Sequence, residues 1–191
     1  VVLRLSGLFA LDAFAGGFVM QSLLAYWFHL RFGAEAGILG GVFFCAQTAA
    51  AFSAPAAAWI AARIGLVNTM VFTHLPSNIL LILVPVMPNL PSAVALLVAR
   101  FSISQMDVPT RQSYTMAVVA PEERSAAAGI TGVARTIGAS ISPFLAAGFL
   151  GSAHLISAPL FLAGGIKIVY DLLLYRGFRA HRPPEETQPL K

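Results

Sequence analysis

The sequence predicts an all-α, polytopic membrane protein built as one bundle of six transmembrane helices. Hydrophobic residues make up 58% of the chain and charged residues only 10%, against about 25% charged in a soluble domain. Uncharged or nearly uncharged stretches succeed one another at 5–28, 37–62, 66–87, 92–118, 125–150 and 155–175. Each is long enough for a helix to cross a bilayer, which takes ~20 apolar residues. Runs such as AVALLVA and NILLILVPV are continuous, whereas a barrel strand alternates apolar and polar residues over ~10 positions. The six spans fill 1–176, so function belongs inside the membrane.

Span one begins almost at Val1, which reads as a cut front. It is too long for a signal-peptide core and lacks a small-residue cleavage site. Span two, with AAAFSAPAAAWIAA, and span five, with SAAAGITGVARTIGAS, are rich in small residues. Small residues let helix backbones approach closely in lipid, so both spans are expected in the interior. Span three is rich in Leu, Ile and Val and is expected at the periphery. Pro88 and Pro91 stop helices in the loop before span four, because proline lacks an N–H and restricts the residue before it. Pro121 with Glu122 and Glu123 opens span five, where acids complement the helix dipole. Pro55, Pro76, Pro109 and Pro143 fall within spans and are expected to bend or break them. Positions 177–191 are polar and Pro-rich, the composition of a disordered cytoplasmic tail.

Net charge is +4, and its distribution points to topology, not to a nucleic-acid partner. With the first loop outside, Arg4, Arg63, Arg111, Arg124, Arg176, Arg179, Arg182 and Lys191 lie on or near one side, and Arg31 on the other. The positive side is cytoplasmic, which puts both termini in the cytoplasm of a cell (plasma or inner) membrane protein. The lone Cys45 sits mid-span and reads as a packing residue. The four histidines are scattered without HExxH or a cysteine cluster, and GSAH at 151–154 reads as a loop. No enzyme, metal or cofactor is expected.

Six ionisable residues lie within spans: Asp12, Arg100, Asp107, Arg135, Lys167 and Asp171, with Arg111 near a span end. A charge at the bilayer centre costs at least ~2.5 kcal/mol, so each must face protein or water. Arg100, Ser104, Asp107 and Arg111 recur at helical spacing as one polar stripe. Thr131, Arg135, Gly138 and Ser142 form a matching stripe on span five. Two readings stay open, a water-filled path and buried ion pairs between helices. Depth at about 1.5 Å per residue pairs Asp12 with Arg111 and Asp107 with Arg135. It leaves Arg100 without an acid and so a candidate for an anionic ligand. Asp107 is the preferred coupling acid. Lys167 and Asp171, spaced i, i+4, are expected to neutralise each other. His74 and Asn78 share that spacing and are expected to hydrogen-bond between helices.

The segment MDVPTRQSY at 106–114, then PEER at 121–124 and AAAG at 126–129, resembles bacterial permeases of the major facilitator superfamily. In that family it ends the tenth helix and starts the eleventh. LDAF at 11–14 with Gly16 and Gly17 resembles the seventh helix. The chain is thus similar to the C-terminal six-helix half of a twelve-helix transporter, the N-terminal half being absent. The family's loop pattern Gly-x-x-x-Asp-Arg-x-Gly falls on Ala58, Ala62, Arg63 and Gly65, of which Arg63 and Gly65 match. An exporter pattern of the fifth helix is echoed at Gly138, Ser142, Pro143, Ala146 and Ala147. The resemblance implies secondary transport of a small-molecule substrate by alternating access. Proton-coupled export leads. Proton-linked uptake, and a non-transporting half or accessory subunit, are the alternatives.

Overall fold

The computed structural model describes residues 1–152 and 154–180, and these form a bundle of α-helices. In chain order they are α1 (Val2–Gly17), α2 (Gln21–Phe32), α3 (Ala36–Ile64), α4 (Leu66–Leu83), α5 (Leu90–Ser104), α6 (Asp107–Ala117), α7 (Arg124–Leu150) and α8 (Ala158–Phe178). Among the described residues five helical stretches are long and apolar enough to cross a membrane: Val2–Phe32, Ala36–Ser53, Leu66–Val86, Pro121–Leu150 and Ala158–Phe178. Most of the tail expected to be disordered lies outside the described residues, and α8 itself extends into its first positions.

Two expected spans are interrupted. Span one divides into α1 and α2, with Phe18 and Val19 donating to the carbonyls of Ala15 and Gly16 in a tightened turn before Met20 turns extended. Span four divides into α5 and α6, and neither half alone reaches crossing length. Pro109 is the cause in the sequence. It cannot donate to the carbonyl of Gln105, and its ring crowds that turn. Met106 and Val108 instead bond three residues back, to Ile103 and Gln105. Pro55, Pro76 and Pro143, by contrast, lie inside unbroken helices. Neighbouring helices and small local adjustments absorb one missing bond in such settings.

The ends of the helices follow local chemistry. The Asn89 side chain accepts the Ser92 N–H at 3.0 Å and caps α5, with proline in the first turn. Gly65 alone joins α3 to α4 at φ 88, a conformation that a side chain would strain. Its carbonyl accepts both the backbone N–H and the hydroxyl of Thr69.

Glycine sets the closest crossings. A Cβ on Gly138 of α7 would strike the backbone of Ala10, and one on Gly17 would strike Ser142 and Ala139. Gly164 of α8 similarly lies against Ile82 and the Asn78 carbonyl of α4. The echo of the exporter pattern therefore forms the contact between α1 and α7. In lipid, close approach of this kind replaces the hydrophobic drive between helices.

The expected placement of spans two and three is reversed. In Leu66–Val86, which contains α4, 50% of the apolar stretch is buried within the protein, against 22% in Ala36–Ser53 of α3 and 22% in Pro121–Leu150, so span five is no more interior than span two. The Leu- and Ile-rich helix is interior because it also carries Thr69, His74, Ser77 and Asn78, all buried. The small residues of α3 permit close packing without commanding it. Cys45, expected as a packing residue, is exposed on that outer helix.

Candidate functional site: a layer of charge between two apolar clusters

One apolar cluster gathers Trp27, Phe28, Leu81, Leu97 and Leu160. A second gathers Leu5, Phe9, Met70, Tyr114 and Leu174. On α1, α4 and α8 the polar positions 12, 74, 78 and 167 fall between these two sets, and Asp171 lies one residue past Tyr170, inside the edge of the second. The charges thus form a layer within the bundle between packed apolar side chains, open on one side where Arg111 and Arg135 border a cavity.

Asp12 is the hub of that layer. Its Oδ1 lies 2.5 Å from Lys167 Nζ of α8 and 3.8 Å from His74 Nε2 of α4. Its Oδ2 lies 3.0 Å from Arg111 Nη1 of α6 and 3.7 Å from Arg135 Nη1 of α7. Lys167 also donates to the Asp12 backbone carbonyl at 3.3 Å. One carboxylate on α1 therefore ties four other helices together. Breaking one partner out of such a buried set costs ~3–5 kcal/mol, because the remaining charge is left uncompensated.

A second acid extends the layer. Asp171 Oδ1 lies 2.8 Å from His74 Nδ1, and Asn78 donates to Asp171 Oδ2 at 2.8 Å. His74 thus stands between two carboxylates, with Nδ1 facing Asp171 and Nε2 facing Asp12. The Tyr170 ring meets the His74 ring edge-on at 5.9 Å.

The expected pair of Lys167 with Asp171 does not form, since the close crossing of α8 and α4 at Gly164 brings Asp171 to His74 and Asn78. Lys167 reaches α1 instead. Asp107 does not meet Arg135 either. The break before α6 makes Asp107 the first residue of a new helix, where its Oδ2 pairs with Arg111 at 3.2 Å. Asp12 and Arg111, matched by depth, are in contact. Arg100 and Ser104 are buried on α5, and neither Arg100 Nε nor Ser104 Oγ has a hydrogen-bond partner. The Arg100 guanidinium lies over the Phe101 ring at 5.2 Å. Arg63 stacks on Trp59 at 3.8 Å beside the turn that Gly65 makes. On the span-five stripe, Thr131 and Arg135 border a cavity, while Gly138 and Ser142 pack against α1.

That cavity, about 760 Å³, lies between α1, α6 and α7. Arg111, Arg124 and Arg135 line it with Gln112 and Thr131, and Phe9 and Met116 supply apolar wall. Arg111, Thr131 and Arg135 belong to the two polar stripes read as a water-filled path or as buried pairs, whereas Arg124, Gln112 and the wall from α1 stand outside those stripes, because no single helix carries the cavity. The hub was equally hidden, since an acid at one position does not announce four partners on four helices.

The fold and this buried charge layer are those of a helical membrane protein. The chain matches the Major Facilitator Superfamily over residues 5–191. It belongs to that family, whose members are membrane transporters. No curated protein and no solved structure matches it.

Proposed function

We propose that the chain forms one half of a proton-coupled exporter of small organic solutes that works by alternating access. The observation that carries this reading is the Asp12 hub. A single carboxylate holds α1 to α4, α6, α7 and α8 through Lys167, His74, Arg111 and Arg135. Adding a proton to it removes the attraction that gathers Lys167, Arg111 and Arg135, so proton binding and helix packing are linked. A ligand can shift a conformational equilibrium only through such a differential interaction. Asp12 replaces Asp107 as the preferred coupling acid, because among the described residues Asp107 forms an ion pair within 4 Å only with Arg111, while Asp12 forms several. Export is favoured by the small-residue echo at Gly138, Ser142 and Pro143, which lies at a crossing where two helices could rock.

In this reading both termini are cytoplasmic, in the plasma or inner membrane. A second six-helix half covers the exposed small-residue faces of α3 and α7, as two halves rocking about a midplane site require. Asp12→Asn in the full-length transporter, reconstituted in vesicles with an imposed pH gradient, should lower proton-driven flux by about tenfold or more. Membrane insertion should be unchanged. Flux with an unaltered rate and pH dependence would refute the coupling role.

A further inference from the structure

We propose that the cavity between α1, α6 and α7 is a binding site for an organic anion with an apolar body. The inference rests on the transport reading and names the substrate class for it.

The charge balance motivates it. Within the spans Asp12, Asp107 and Asp171 face Arg100, Arg111, Arg135 and Lys167, so cations outnumber acids even with His74 neutral. Buried charge of one sign is costly unless something compensates it. The excess reaches the cavity through Arg135. Its Nη1 is buried without a hydrogen bond, 3.7 Å from Asp12, while its side chain is 36% exposed. Arg135 stands between the hub and the open space.

The wall suits an anion. Among the described residues three arginines line it and no aspartate or glutamate does. Arg124 uses Nε to hold the Met116 carbonyl at 3.1 Å, tying the start of α7 to the end of α6 on the cavity wall. Guanidinium groups take carboxylate, sulfonate or phosphate oxygens in paired, charge-assisted bonds. Phe9, Val108 and Met116 offer the apolar body a surface, the mixed lining usual for small-molecule sites. An anion on Arg135 would compete with Asp12 for it, which gives the substrate a direct hold on the hub.

The test uses 1-naphthoate as anionic probe and 1-naphthalenemethanol as its neutral counterpart. A reporter cysteine, Gly132→Cys in a Cys45→Ser background of the full-length protein, sits on the cavity wall, where a Cβ meets no atom within 4 Å. In phosphatidylcholine nanodiscs without any gradient, naphthoate should slow maleimide labelling by about tenfold, and the alcohol should not, because only charge-assisted bonds distinguish them. Arg135→Gln should abolish the protection and Arg135→Lys should keep part of it. Ala128→Trp, on an exposed wall position, should abolish it by filling the space with the arginines intact. Equal protection by the alcohol, no protection by naphthoate, or protection that survives Arg135→Gln would each overturn the proposal. So would full protection by phosphatidylglycerol discs alone with naphthoate adding nothing, which would make this a lipid-headgroup site. Binding here needs no gradient, so naphthoate binding by an unsubstituted full-length protein that shows no proton-driven flux would sink the transport reading and leave the anion site standing.

Discussion

Helices α3 and α4 are joined by a single glycine, yet they occupy opposite environments. α3 is built largely from Ala and Gly and presents Phe44, Phe52 and Trp59 outward, Phe52 at 79% exposure. α4 carries more bulky Leu and Ile, yet Met70, His74, Ser77, Asn78 and Leu81 are buried. In water the bulkier apolar helix would win the interior by burial alone. In lipid that drive is absent between helices, because the surroundings are as apolar as leucine. What remains is the cost of leaving polar groups without partners: the buried ones of α4 bond to another helix, whereas on α3 Ser53 bonds to the Ala50 carbonyl of its own helix and Gln47 and Thr48 are exposed. Asn78 and His74 must find Asp171, and α4 goes where Asp171 is.

This contrast is open to direct attack. The largest effect is expected where the crossing itself is blocked. Gly164→Leu would drive side-chain atoms into Ile82 and the Asn78 backbone. Purified protein should lose about 3 kcal/mol of stability in thermal unfolding, the upper end for overpacking. Asp171→Leu should cost about 2 kcal/mol, since it strands both His74 and Asn78 as buried polar groups. If it were neutral, polar satisfaction would not be what holds α4 inside. Asn78→Leu removes one interhelical bond and should cost about 1 kcal/mol. On α3, Phe52→Ala should change stability by no more than about 0.5 kcal/mol, because its side chain touches little of the bundle. A loss as large as that of Asn78→Leu in the full-length protein would mean that another protein surface covers α3, and would sharpen the case for a second half.

The two breaks in the spans make a related point. Pro109 was visible as a breaker, and the span does divide one turn before it, at Gln105 and Met106, with Pro109 in the first turn of α6. Pro55, Pro76 and Pro143 carry the same chemistry in unbroken helices. A missing N–H has a fixed local cost, but whether the backbone yields depends on neighbours that hold the turn. Gly16 and Gly17 gave no sign of dividing span one. The division accompanies the tight approach of Gly17 to Ser142 and Ala139, which is a property of two helices.

Composition alone determined that this chain is a helical membrane protein, because uncharged stretches of crossing length admit no other way to satisfy backbone groups in lipid. The helix boundaries at Asn89, Pro121 and Gly65 were also local, set by caps and by one positive φ. The residues of the charge layer were legible too, since ionisable groups stand out in apolar runs. Their partners were not. Lys167 and Asp171 are four residues apart and could have met, yet each turns to a different helix, because interhelical distances at Gly164 and around Asp12 outrank sequence spacing. Helical period fixes which side a residue faces, but only packing decides which helix stands there. The Asp12 hub, the buried α4 and the arginine-lined cavity are products of that packing.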